Sequence, residues 1–306
     1  MPQVVIVGDR DSGRTTFLGL LYVAQVQSGS DRADRFRFHS TFESMEEITV
    51  LFQRLMSGGF PDSATKEGIR EMRVHLGYRG RGRGVLSRLR SRAWSPDSVA
   101  TFRFILSRTL DDEVSGFLHG SSVANGRLSD ILEGDAMAIL VDSTKLGVNG
   151  EEPPEGAIER YDVAVEAFLT AIQRWRARGG RSRVYPVFVL TKFDGIRPEV
   201  LRAAKVDDSP PQADRTAERA KYGEALLGRN LPKTFKKLAP GEKGGLEFAR
   251  PTYFFSWVRT EAASSGRPGK IRLRRTASFG WEPDYSKEEY VALLEHLWGV
   301  GTRTPR

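Results

Sequence analysis

Near its start the chain reads G-D-R-D-S-G-R-T-T, residues 8–16, and these residue types at this spacing can grip phosphate. Gly8 and Gly13 permit a tight loop whose backbone N–H groups turn inward. A helix starting directly behind the loop adds its own N-terminal donors and the positive end of its dipole. The pattern is G-x-x-x-x-G-K-[ST] with one departure, Arg14 in place of the lysine. Arginine keeps the charge but not the shape, because a guanidinium is planar, wide and forked where an ammonium is a compact point. Arg14 therefore either reaches phosphate differently or turns outward and leaves the backbone to hold it. Asp11, Ser12, Gly13 and Thr16 complete the expected phosphate contacts, and Thr15 sits where a hydroxyl coordinates Mg2+. The side chains of Asp9 and Asp11 are expected to point outward, since a carboxylate facing phosphate would repel it.

Such a loop must join a strand to a helix, and the flanking residues supply both. Val4–Val7 is a β-branched run suited to a buried strand, and from Thr15 to Gln27 the residues Phe17, Leu18, Leu21 and Ala24 recur at helical spacing. Ser40-Thr41-Phe42-Glu43 has capping-box spacing and predicts a helix to about Met56, broken by the loop SGGFPDSAT, residues 57–65. MRVHLGY (72–78) and TFRFIL (101–106) alternate as two strands with no helix between them. From Asp111 to Asn125 the residues predict a loop, with a helical stretch to Leu132. AMAILVD (136–142) reads as a buried strand whose Asp142 is a structural loop residue. A long helix bearing Ile158 to Trp175 follows, then the strand VYPVFVLTKFD (184–194), helices near 212–228 and 232–238, the strand PTYFFSWV (251–258) and a last helix begun by Ser286-x-x-Glu289. EAASSGRPGK (261–270) is flexible by composition. Strands alternating with helices predict an α/β fold: a mostly parallel six-stranded sheet with one antiparallel edge strand and helices on both faces.

T-K-F-D (191–194) ends the strand VFVL well downstream of the phosphate loop. In this combination the chain resembles the Ras-like P-loop small GTPases, whose guanine-reading motif is [NT]-K-x-D. The likeness covers about residues 2–78, 100–194 and 251–299 and suits a divergent prokaryotic or archaeal branch with inserts. It implies a three-layer P-loop NTPase fold, with GTP or GDP and Mg2+ as cofactors. Thr191 and Lys192 would lie along the base, and Asp194 would accept from the guanine N1–H and 2-amino group, which adenine cannot offer. Ser256 and Trp257 stand where the family's final base-binding loop lies. Thr65 matches the threonine that senses the γ-phosphate and Mg2+. No clean D-x-x-G exists; Glu113-Val114-Ser115-Gly116 is an acidic variant, with Glu113 toward Mg2+ and Gly116 toward the γ-phosphate. Phe117 replaces the water-orienting glutamine, and His119 is the nearby catalytic candidate, so hydrolysis is expected to be slow or to depend on a partner.

The 306 residues carry a net charge of +8 and no cysteine, which excludes disulfides, thiolate metal sites and cysteine nucleophiles. Four scattered histidines make a structural zinc site a poor expectation. Scarce Asn and Gln with abundant Arg lean toward a heat-adapted source. The start lacks the pattern of a signal peptide, and no apolar run suits a membrane span, so a cytoplasmic protein is expected. RGRGRGVLSRLRSR (79–92) carries six arginines and no acid, and KIRLRR (270–275) is a second basic cluster. Both suit a solvated surface, and Arg79–Arg92 also suits a nucleic acid or an anionic membrane. The expected organisation is one G domain over residues 1–306 with inserts at about 79–99, a basic hairpin extension, and 195–250, helical. The expected function is a guanine-nucleotide switch whose switch loops and inserts meet a protein partner. The alternatives are a non-hydrolysing nucleotide-binding scaffold and a P-loop ATPase acting on nucleic acid.

Overall fold

The computed structural model describes residues 3–9, 11–26, 36–40, 45–61, 71–78, 98–106, 131–148, 157–178, 183–239, 247–261, 269–276 and 280–303. In chain order these hold β1 (Gln3–Gly8), α1 (Arg14–Val26), β2 (Phe36–Ser40), α2 (Met45–Met56), β3 (Glu71–Tyr78), β4 (Ser98–Leu106) and β5 (Ala136–Asp142). Then come α3 (Ala157–Arg178), β6 (Arg183–Thr191), α4 (Pro198–Ala204), α5 (Thr216–Leu227), α6 (Pro232–Leu238), β7 (Glu247–Phe248) and β8 (Thr252–Phe255). Two short antiparallel pairs follow, β9 (Thr260–Glu261) with β10 (Lys270–Ile271) and β11 (Leu273–Thr276) with β12 (Gly280–Pro283), before α7 (Lys287–Arg303).

The central strands are apolar along their whole length because both of their faces are covered. Val4 and Ile6 of β1, with Ala136, Ala138 and Leu140 of β5, face a core closed by Leu18 and Leu21 of α1, Leu51 and Leu55 of α2, and Leu294 and Leu297 of α7. Val5 and Val7, with Met137, Ile139 and Val141, face the opposite core, closed by Val165, Phe168, Leu169 and Ile172 of α3 and Leu226 and Leu227 of α5. The result is three layers, helix–sheet–helix. On the second face, Phe235 of α6, Phe188 of β6 and Tyr253 of β8 stack ring on ring at 5.6 Å spacing. Asp162 of α3 accepts from the Lys233 and Thr234 N–H groups, so one helix caps the start of another.

The parallel core is β4-β1-β5-β6-β8, and β7 also pairs parallel with β6. The expected six strands with an antiparallel edge is corrected: among the described residues the sheet has eight strands, ordered β2-β3-β4-β1-β5-β6-β7 with β8 on β6. β3 alone runs against the rest, and it is interior, because β2 pairs with its outer side. F-R-F-H-S alternates like a half-buried strand, but its five residues are too few to separate from a loop by pattern. The expected helix start at Ser40 is also corrected, since Ser40 pairs with Val74 in that ladder and the helix is described from Met45. A short helix at Pro198–Ala204 was not expected; Pro at its first position is the signal that marks it. The basic cluster KIRLRR lies in β10 and β11, where Arg274 pairs with Glu282 across the hairpin.

Candidate functional site

Strands β1, β5, β6 and β8 end side by side, with Gly8 opposite Leu140, Asp142 opposite Thr191 and Leu190 opposite Phe255. Their following loops therefore meet at one carboxyl edge, where ligands bind in sheets of this kind. The first is the phosphate loop. Asp11 and Gly13 adopt left-handed backbone at φ 63° and 81°, and the Ser12 N–H donates to the Asp9 carbonyl at 3.2 Å. Helix α1 then begins, its Phe17 N–H bonding the Gly13 carbonyl at 2.7 Å, so its opening turn faces the loop. A Cβ on Gly8 would come within 2.4 Å of Ser12 Oγ, so the loop closes only over a glycine. Ser12 Oγ is buried and has no hydrogen-bond partner among the described residues. An orphaned hydroxyl in a glycine-lined loop at a helix start suits a phosphate oxygen.

The Arg14 Cγ lies 3.3 Å from where a Gly8 Cβ would stand. Beneath sits Tyr161 of α3, whose hydroxyl donates to the Leu140 carbonyl at 2.7 Å. Burial holds its phenol far above the ordinary range, with the Asp9 charge adding to the shift and the Arg14 charge opposing it. Thr15 is buried. Asp11 is exposed, as expected, but Asp9 is half-buried and paired with Lys145 at 2.9 Å.

The T-K-F-D loop leans on the phosphate loop directly. Thr191 Oγ1 sits 2.9 Å from the Ser12 carbonyl and 3.3 Å from the Val141 carbonyl. Lys192 takes the left-handed conformation at φ 50°, and its ammonium bonds Asp142 at 2.6 Å. Asp142 also accepts from the Thr144 N–H and hydroxyl. Phe193 buries its ring edge-on to Phe255, 5.0 Å between centroids, which anchors the strained residue before it. Asp194 follows, exposed at the rim. Partial desolvation pushes its carboxyl above the usual range, while its own backbone N–H and the Arg259 guanidinium oppose the shift.

The loop after β8 meets T-K-F-D through the Phe193 N–H, which donates to the Ser256 carbonyl at 3.0 Å. Three consecutive residues of this loop are tied to α7 and the residue before it. The Phe255 N–H donates to Glu289 at 2.9 Å, Ser256 Oγ and Tyr290 OH share a 2.6 Å bond, and the Trp257 N–H donates to Ser286 Oγ at 3.0 Å. Ser286 and Glu289, the expected capping box, thus spend their side chains on this loop. Glu289 also forms a buried ion pair with Arg219 of α5, whose Nε and Nη2 donate to the Tyr253 carbonyl. Arg259 lies over the Trp257 ring at 5.2 Å.

Gly8, Asp11, Ser12, Gly13, Arg14, Thr15, Thr16, Thr191, Lys192, Asp194, Ser256 and Trp257 all lie on these loops or at the start of α1. Thr65, Glu113, Gly116, His119 and Arg79–Arg92 lie outside the described residues. Among the described residues no group of three or more acidic, histidine or cysteine side chains could hold a metal ion, and no helix is long and apolar enough to cross a membrane. Sequence reasoning missed Lys145, Arg219 and Arg259, whereas the expected structural role of Asp142 in the loop agrees with its bonds to Thr144 and Lys192. The one local signal was Asp142 itself, an acid closing an otherwise apolar strand. No protein-family model matches the chain, and no curated protein matches it. Among solved structures it is similar to a chain of the signal recognition particle receptor SRb-GTP/SRX complex from Chaetomium thermophilum, at 14% identity and a TM-score of 0.36, over 83% of this chain and 90% of that one.

Proposed function

We propose that this protein binds guanine nucleotide with Mg2+ at the carboxyl edge of its sheet and acts as a switch of the Ras-like P-loop type, with slow or partner-dependent hydrolysis. The observation that carries the reading is the bond from Thr191 to Ser12, which joins two motifs 179 positions apart. Two short patterns that meet in space by chance are far rarer than either alone. In this reading the N–H groups from Gly13 to Thr16 and the Ser12 hydroxyl receive phosphate oxygens. Thr15 supplies a hydroxyl to Mg2+, with Thr65 and Glu113 as its further ligands, and Gly116 meets the γ-phosphate. Bound Mg2+ would offset phosphate charge. Asp194 reads the base, beside Ser256 and Trp257. The switch segments and the inserts at 79–99 and 195–250 serve a protein partner, in the cytoplasm, as parts of one G domain.

The test is a titration of GTP, GDP and ATP with Mg2+ against the wild type and Asp194→Ala. Guanine is expected to win by about 100-fold or more, because an unpaired carboxylate against adenine is costly. The substitution should erase that margin. Equal affinities, untouched by it, overturn the guanine assignment.

A second reading, a scaffold that holds nucleotide without turnover, is favoured by Arg14. Its forked guanidinium does not reproduce a compact ammonium between phosphates. Single-turnover phosphate release separates the two readings.

A further inference from the structure

The turn after β5, D-S-T-K (142–145), reaches both ends of the site. Its first residue holds Lys192 of the T-K-F-D loop, and its last holds Asp9 of the phosphate loop at 2.9 Å. The two ion pairs run in opposite senses, carboxylate to lysine and lysine to carboxylate. Asp9 is the more telling end. It follows Gly8 directly, and its carbonyl accepts the Ser12 N–H, so its backbone is part of the loop. A carboxylate carried there opposes an anionic ligand unless something draws it aside. Lys145 and Asp9 are each partly exposed, 32% and 27% by side chain, and such a pair adds little to folding stability. Toward a ligand of several negative charges in the same loop, the same neutralised carboxylate counts far more.

We infer that Lys145 is a positioning residue for the phosphate end of the ligand: it turns the Asp9 carboxylate away from the loop and cancels its charge. This rests on the nucleotide reading above. It explains how an acidic residue occupies the second place of a phosphate loop, and it gives the D-S-T-K turn a job that its sequence does not announce. Through Asp142 the same turn also sets Lys192, so phosphate and base ends are braced from one point.

A double-mutant cycle tests it, with fluorescent GDP as probe on the full chain: wild type, Lys145→Ala, Lys145→Arg, Asp9→Asn and the Asp9→Asn/Lys145→Ala pair. Removing Lys145 should weaken GDP by about tenfold or more where Asp9 is present and by less than about threefold where it is Asn. Lys145→Arg should stay close to wild type, and melting temperatures should differ little across the set. A loss that persists in the Asp9→Asn background, or no loss at all, overturns the inference and leaves the nucleotide reading standing. A wild type that binds no nucleotide overturns both.

Discussion

The glycine loop after β1 and the loop after β8 sit side by side at one sheet edge but are held in different ways. The glycine loop is shaped mainly by its own main chain: two left-handed residues, a closing bond from Ser12 to Asp9, and a glycine whose missing Cβ makes room for Ser12. The loop from Phe255 to Trp257 is shaped by side chains from elsewhere, Ser286, Glu289 and Tyr290, with Arg219 behind them. A loop of the first kind depends on its backbone and fails when a Cβ is forced on it. A loop of the second kind depends on residues about thirty positions away, and distant truncations undo it.

The largest effect should come from Glu289→Ala. It leaves the Arg219 guanidinium buried without its acid and the Phe255 N–H without its acceptor. Breaking a buried pair from one side costs about 3–5 kcal/mol, read by denaturant melts. A cost below about 1 kcal/mol would break the contrast, because the distant supports would then be ornamental. Next comes Gly13→Ala. At φ 81° nothing lies within 4 Å of the added Cβ, so the cost is backbone strain alone, about 1–3 kcal/mol. Gly13→Asn should cost less than Gly13→Ala, since asparagine tolerates the left-handed region. The reverse order would show that side-chain contacts, not backbone, govern this loop.

The smallest effect concerns Asp194→Asn in the ligand-free protein. Desolvation raises this carboxyl, so the folded state binds its proton more tightly than the unfolded chain does. The group therefore costs stability above its folded pKa, and the cost vanishes below about 3.9, where both states are protonated. Asp194→Asn should slightly raise the melting temperature at pH 7, and the gain should fade as pH falls toward 4. A residue whose charge destabilises the protein is this loop's own version of stored strain. A lower melting temperature at pH 7 would instead place Asp194 among the loop's supports.

How much of this was readable follows the same division. β5 at 136–142 and α6 at 232–238 match the pattern to the residue, because an apolar run and a prolyl start are local signals. The tight turn between β1 and α1 was legible for the same reason: glycine spacing states a backbone requirement in place. β2 was not, since five alternating residues carry too little pattern, and it moved the antiparallel strand from the edge to the interior. Lys145 is one of 47 basic residues, and nothing beside it in the chain tells it apart from the rest. Arg219 reads as an ordinary helix-surface charge until the fold brings it to Glu289. The capping-box spacing at Ser286 was real, but tertiary partners took both side chains.

The placing of β1 between β4 and β5 has a consequence for how the chain is made. β1 leaves the ribosome before the rest of its sheet, yet its tie to β5, through Gln3 and Asp135, waits on a residue 132 positions later. At cellular synthesis rates that interval is roughly 7–26 s. During it the run Val4–Val7 gains α1 and then β4, while the edge that β5 covers and the face that α3 covers stay open. The strand that leads into the glycine loop thus waits with one edge and one face open, which makes it a segment in need of shelter during synthesis.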